Sequence, residues 1–188
     1  MGTSKSTRIA LLRAVNVGGR NSLAMSDLRK MVAALGFRDA RTLLQSGNLI
    51  FRGARQSDDA LERLLEAECQ KRLKLSIDFV IRTLDEWQAM IDANPLARKA
   101  ANDPSHLVVM VLKSTPGKNE LKALEASIRG REVVKAKGKQ LYISYPDGIG
   151  TSKLTGTLIE RVLGVRGTAR NWNTVLKLAE LARGEAED

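Results

Sequence analysis

Arg41-Thr42-Leu43-Leu44-Gln45-Ser46-Gly47-Asn48-Leu49-Ile50-Phe51-Arg52 is the stretch on which the fold turns. Residues 41–44 and 49–52 read as strands, and Gln45-Ser46-Gly47-Asn48 between them is a glycine-containing hairpin signal. The second and third strands of the chain are therefore antiparallel. Upstream, residues 8–15 form a short, mostly apolar run that ends in Asn16-Val17-Gly18-Gly19-Arg20-Asn21, a buried strand followed by a loop. Ser26 is positioned to cap a helix with apolar positions Leu28, Met31, Val32 and Leu35, and Gly36 supplies its left-handed stop. Downstream, Ser57 with Asp58 and Asp59 opens a helix whose stripe is Leu61, Leu64, Leu65, Cys69 and Leu73. Ile77, Phe79 and Ile81 then share one strand face, and Thr83-Leu84-Asp85-Glu86 is a capping box for a helix carrying Trp87, Met90 and Ile91 inward.

The same order returns about ninety residues later. Residues 106–112 read as a buried strand, followed by a helix with Leu121, Leu124 and Ile128. Residues 132–135 and 140–145 flank Ala136-Lys137-Gly138-Lys139 as a second hairpin, and a helix with Leu154, Leu158, Val162 and Leu163 ends at Gly164. A short strand near residues 165–169 and a last helix from Trp172 to about Ala182 complete the pass. The pattern predicts an α+β protein of two ferredoxin-like β-α-β-β-α-β halves, each with an additional helix. The halves span 1–95 and 105–188, with a short polar linker at 96–104. Reading the first and third strands of each half as parallel neighbours sets the loops at 113–118 and 146–152 at one edge, where they form one basic pocket. On the same reading, the Gly18-Gly19 loop and the 45–48 turn lie at opposite ends of the first sheet.

Composition narrows the class. Hydrophobic residues make up 43% and charged residues 28%, which suits a globular core and excludes a disordered chain. The polar start, Met1 to Thr7, and the short apolar run after it are too brief for a signal peptide or a membrane span. A single cysteine and a single histidine exclude an internal disulfide and a Cys/His zinc cluster, and fit a reducing cytoplasm; no cofactor is implied. The net charge of +10 is spread over both halves and favours encounter with anions, while the 4% aromatic content argues against a base-stacking platform.

The strongest anion-binding motif is Gly148-Ile149-Gly150-Thr151-Ser152-Lys153, read as the junction of a strand with a helix. Glycines admit a ligand to the backbone, helix N–H groups point outward, and Ser152 and Lys153 add a donor and a charge. The spacing is neither a Walker nor a Rossmann pattern, and a plain strand-to-helix turn capped by Thr151 or Ser152 needs the same residues. The Gly18-Gly19 loop follows the same logic. Thr168-Ala169-Arg170-Asn171-Trp172-Asn173-Thr174 is unusual for a helix start, although Asn and Thr cap helices and Trp172 can anchor one in a core. Residues 129–139 carry five basic residues and one acidic residue around a hairpin. His106 has no Ser or Cys partner nearby in sequence and reads as structural, and Cys69 on an apolar stripe reads as inert.

Three segments taken together resemble the bacterial domain-of-unknown-function family 1697. They are Leu12-Arg13-Ala14-Val15-Asn16-Val17-Gly18-Gly19 with Asn21, then Gln45-Ser46-Gly47-Asn48, then Ser152-Lys153-Leu154-Thr155 with Thr168 to Thr174. One departure is Ala14, where the family is expected to carry glycine. The resemblance implies an α+β protein with ferredoxin-like halves and brings no activity with it. It marks Arg13, Asn16, Asn21, Gln45, Asn48, Lys153, Arg170, Asn171 and Asn173 as site residues. The resulting expectation is a binding protein for a phosphate-bearing ligand, a nucleotide or nucleic acid, acting as monomer or homodimer away from membranes. The alternatives are an enzyme acting on a phosphorylated small molecule and a protein-interaction module.

Overall fold

The computed structural model describes residues 7–15 and 22–184. Asn16, Gly18, Gly19 and Asn21 lie outside the described residues. The chain forms two compact units, Met1–Ala89 with Lys177–Asp188, and Met90–Leu176.

In the first unit the order is β1 (Arg8–Leu12), α1 (Met25–Ala34), β2 (Arg38–Leu43), β3 (Asn48–Arg52), α2 (Asp58–Glu68) and β4 (Phe79–Thr83), with α3 (Leu84–Asp92) directly after it. The sheet order is β2-β3-β1-β4 and every neighbour is antiparallel. This is the ferredoxin-like β-α-β-β-α-β unit. Ala10, Leu12, Leu49, Phe51, Phe79 and Ile81 form the core with Leu28, Met31, Val32, Leu61, Leu65 and Cys69. The alternate positions Ile9, Leu11, Ile50 and Val80 are buried as well, which is why the strands read as unbroken apolar runs.

The second unit begins within α3 and continues with α4 (Ala97–Asn102), a 3-10 turn (Pro104–His106), β5 (Leu107–Leu112), α5 (Lys118–Ser127), β6 (Val133–Lys137), β7 (Gln140–Ser144), α6 (Gly156–Leu163) and β8 (Gly167–Asn171). Its sheet, β6-β7-β5-β8, repeats the first. The segment 96–104, expected as a polar connection, is largely helical. The last helix, α7 (Trp172–Arg183), gives Trp172 to Leu176 to this unit and the residues from Lys177 onward to the first.

Two of the expected local caps form as read. Ser57 Oγ accepts from Ala60 N at 3.4 Å. Thr83 Oγ1 accepts from Glu86 N at 3.1 Å while Glu86 Oε2 accepts from Thr83 N at 2.9 Å, a reciprocal capping box. Ser26 does not cap α1, whose N-cap is Ala24 without a side-chain bond. Ala14 sits at φ +55°, the left-handed region that favours glycine.

One expectation is overturned. The first and third strands of each half are antiparallel, not parallel: Leu11 pairs Asn48, and Leu12 N donates to Gly47 O at 2.8 Å. The α1 crossover makes β1 parallel to β2, and the tight hairpin then forces β3 to run against both. The 45–48 turn therefore sits at the end of the first sheet where β1 stops. In the second unit Leu112 N donates to Lys139 O at 2.8 Å, so the 113–118 loop meets the basic hairpin turn, and residues 146–152 lie at the other end, beside His106. The single basic pocket expected from 113–118 with 146–152 does not form.

Candidate functional site

The loop from residue 146 to 155 connects β7 to α6 and carries most of the chemistry of the second unit. Helix α6 starts at Gly156 and is capped by Thr155, whose Oγ1 accepts from Leu158 N at 3.2 Å, so Thr151 and Ser152 are not its caps. The motif 148–153 is thus a loop of its own. Gly148, at φ +87°, closes a turn by donating from its N–H to Tyr145 O at 2.9 Å. Thr151 Oγ1 donates to Asp147 O at 2.8 Å, and Ser152 Oγ accepts from Leu154 N at 3.0 Å while donating to Glu132 Oε1.

Against this loop lies a hollow of about 230 Å³ lined by Arg129, Gly130, Glu132, Asp147, Thr151, Ser152 and Lys153. Each of its carboxylates has a partner, although Glu132 Oε2 is buried without one. Asp147 pairs with Arg131, whose hydrogen bond holds it below the usual carboxylate range, and Glu132 is likewise lowered, chiefly by the Ser152 hydroxyl. The Arg129 and Lys153 side chains enter no ion pair or hydrogen bond among the described residues.

A second hollow, also about 230 Å³, shares no residue with the first and is lined by Ser105, His106, Val108, Tyr145, Ile149, Ala169 and Asn171. His106 Nδ1 lies 2.8 and 2.9 Å from the two oxygens of Asp103, and Ser105 Oγ donates to Asp103 Oδ1 at 2.9 Å. These bonds, that of His106 first, lower the Asp103 pKa. Asp103 therefore fixes the orientation of the imidazole through Nδ1. The sequence reading gave His106 a structural role, and the partner that orients it is an aspartate three residues earlier, brought to it by a 3-10 turn.

The motif residues of the last segment are divided by the pleat. β8 runs to Asn171, so Arg170 and Asn171 are strand residues, not the opening of a helix. Asn171 and Ala169 face the second hollow; Asn171 Nδ2 donates to Ser105 O at 2.7 Å and its Oδ1 accepts from Asn173 N at 3.0 Å. Arg170 pairs Val109 in register and leaves from the opposite face, where Nη1 donates to Thr168 Oγ1 and Ala169 O, each at 2.8 Å. It is buried, which pushes its pKa down to about 10. It cannot share a ligand with Lys153 in this arrangement. Trp172 is buried at the start of α7.

In the first unit, Arg13 lies 3.6 Å from Asp78, and Asn48 is wholly buried with Nδ2 donating to Leu43 O at 2.7 Å, closing the hairpin. Gln45 lines an open hollow of about 600 Å³ with Ala24, Met25, Ser26, Arg29, Thr42 and Leu44. Cys69 is buried, and burial followed by the charge of Glu66 pushes its thiol up to about 11. Among the described residues no three His, Cys, Asp or Glu side chains could hold a metal ion, and no helix is long and apolar enough to cross a membrane.

The family model for proteins of unknown function DUF1697 matches residues 6–142. The chain belongs to this family. Arg13, Gln45 and Asn48 fall within the matched DUF1697 stretch, whereas Lys153 and residues 168–174 lie beyond it. Among solved structures, the chain is similar to the conserved bacterial protein SP0830 from Streptococcus pneumoniae, at 20% identity and a TM-score of 0.73, over 94% of this chain and 98% of that one. That likeness concerns the fold. No curated protein matches the chain.

A charged cluster in the first unit sets a pH dependence. Arg8 Nε lies 2.9 Å from Asp58 Oδ1, and Asp58 also meets Glu86. Burial first, then the hydrogen bond to Glu86 and its charge, push Asp58 up to about 6. Glu86 is lowered: burial opposes this, but bonds from Thr83 and Asp58 outweigh it. A raised carboxyl favours the protonated folded state, so its contribution is complete below its unfolded pKa near 4 and lost as pH rises through about 6. The melting temperature of the native protein is expected to rise more between pH 7 and pH 5 than that of Asp58→Asn. Parallel curves in a thermal melt across that range would contradict this.

Proposed function

We propose that the protein binds a phosphate-bearing ligand, a nucleotide or nucleic acid, in the hollow between the 146–153 loop and residues 129–132. The observation that carries this reading is that Arg129 and Lys153 reach one hollow with no ion pair or hydrogen bond of their own among the described residues, while Asp147 and Glu132 are held by Arg131 and Ser152. A phosphate would receive two charge-assisted contacts without displacing an existing pair. The backbone of Gly148 and Gly150, where an added Cβ would meet nothing within 4 Å, leaves room for close approach. The net charge of +10 steers anions toward the molecule.

The test is a thermal-shift screen against nucleotides, phosphosugars and short RNA and DNA, with Lys153→Ala and Arg129→Ala. One class of phosphate compound should raise the melting temperature, and each variant should weaken its binding about tenfold or more, the scale of one hydrogen bond to a charged group. No shift with any anion would sink the reading. The Asp103–His106 pair favours a second reading, an enzyme acting on a phosphorylated small molecule bound in the second hollow, because an imidazole oriented by a carboxylate is the arrangement of a general base. Turnover of the bound compound that is abolished in His106→Ala, with binding retained, would separate the two.

A further inference from the structure

The two units treat their outer sheet edges differently. In each sheet the last strand is an edge, and alternate residues on it turn their N–H groups away from the sheet. The register identifies them. Arg13 N donates to Asp78 O and Lys113 N to Arg166 O, so Phe79, Ile81 and Thr83 in β4, and Gly167, Ala169 and Asn171 in β8, face outward.

In the first unit all three outward donors meet a carboxylate: Phe79 N donates to Glu66 Oε1 at 3.0 Å, Ile81 N to Glu62 Oε1 at 2.9 Å, and Thr83 N to Glu86 Oε2 at 2.9 Å. In the second unit only the first does, as Gly167 N donates to Glu160 Oε1 at 2.9 Å. Glu62 stands one helical turn before Glu66, and the residue one turn before Glu160 is Gly156. Where the first unit has a carboxylate, the second has a glycine whose missing Cβ faces open space. The N–H groups of Ala169 and Asn171 have no hydrogen-bond partner among the described residues.

The chemistry of an occupant follows. The Ala169 carbonyl already accepts from Arg170 Nη1 at 2.8 Å, so the N–H is the edge group of this residue that is left wholly open. An added β-strand would have to share that carbonyl with Arg170 Nη1, so it fits this edge less well than an oxyanion does. An oxyanion needs donors alone. Ala169 and Asn171 also line the hollow with Val108, Tyr145 and Ile149, and Ile149 is 55% exposed, so an apolar body has walls beside the donors.

We propose that the open β8 edge is a binding site for a small apolar carboxylate, its oxyanion on the Ala169 N–H in the place that Glu62 fills in the first unit and its apolar part in the hollow of Val108, Tyr145 and Ile149. The site shares no lining residue with the hollow of Arg129 and Lys153 and stands independently of the phosphate reading.

The experiment is an amide NMR titration of the full chain with benzoate, and separately with inorganic phosphate, in the native protein, Gly156→Glu and Lys153→Ala. Benzoate should move the Ala169 and Asn171 amide protons downfield to saturation, equally in Lys153→Ala. In Gly156→Glu the Ala169 amide should already be downfield and benzoate affinity at least tenfold lower, the internal carboxylate occupying the place. Native amides at 169 and 171 that ignore benzoate would overturn the proposal. So would a response to phosphate in place of benzoate, or one lost in Lys153→Ala, since either would assign the edge to the phosphate site. The native titration decides even if Gly156→Glu does not fold.

Discussion

Replacing Gly47 by alanine is expected to destabilise the protein by about 3 kcal/mol, from left-handed backbone strain together with overpacking. Gly47 sits at φ +79°, which costs an L-residue about 1–2 kcal/mol. A Cβ added there would also lie 2.5 Å from Val15 Cγ2 and 2.7 Å from Leu12 Cβ. Neither contact can relax cheaply, because Leu12 is tied to the same turn by its N–H on Gly47 O and both side chains are buried. Gly138 in the second hairpin is the control. It has φ +60°, but an added Cβ would meet only Gln140 Nε2, at 4.0 Å. Gly138→Ala should therefore show the strain without the clash, about 1 kcal/mol. Equal losses for the two variants in urea denaturation would mean that packing of β1 against the turn contributes nothing.

Glu62→Ala is expected to cost about 2–3 kcal/mol, the scale of a lost hydrogen bond to a charged acceptor that leaves a buried donor unsatisfied. Glu62 is 6% exposed and accepts from Ile81 N at 2.9 Å, and its charge also supports the buried Arg82. Glu62→Gln keeps an acceptor without the charge and should lose less. Hydrogen exchange reads the same event locally: the Ile81 amide should exchange faster in Glu62→Ala, while Ala10, across the strand pair, changes less. An exposed edge is also a template for pairing with another chain, so the variant should self-associate more readily in sedimentation. Unchanged Ile81 exchange would show that the glutamate does not guard the edge.

Most secondary structure was legible because it follows from neighbours in sequence. The stripe Leu28, Met31 and Val32, the cap at Ser57, the box from Thr83 to Glu86 and the stops at Gly36 and Gly164 are all local devices, and all stand in the structure. Local reading failed where several residues of one type compete or where partners are distant. Thr151, Ser152 and Thr155 can each cap a helix, and the packing of Leu154 and Ile159 into the core selects Thr155. Arg170 and Asn171 look alike in a polar motif, yet pairing with Val109 and Val108 sends them to opposite faces. The aspartate that orients His106 was hidden for a related reason, since a 3-10 turn and not a recognisable motif brings the two together.

By itself, then, the sequence determined the element order, the duplicated β-α-β-β-α-β pattern and the family, because helix periods, caps and turn glycines act over a few residues. Tertiary structure decided which ends of the sheets the loops share, which polar residues meet in a hollow, and which edge donors keep a carboxylate. Those depend on strand direction and register, and a single reversal of direction between β1 and β3 moves a loop from one end of a sheet to the other.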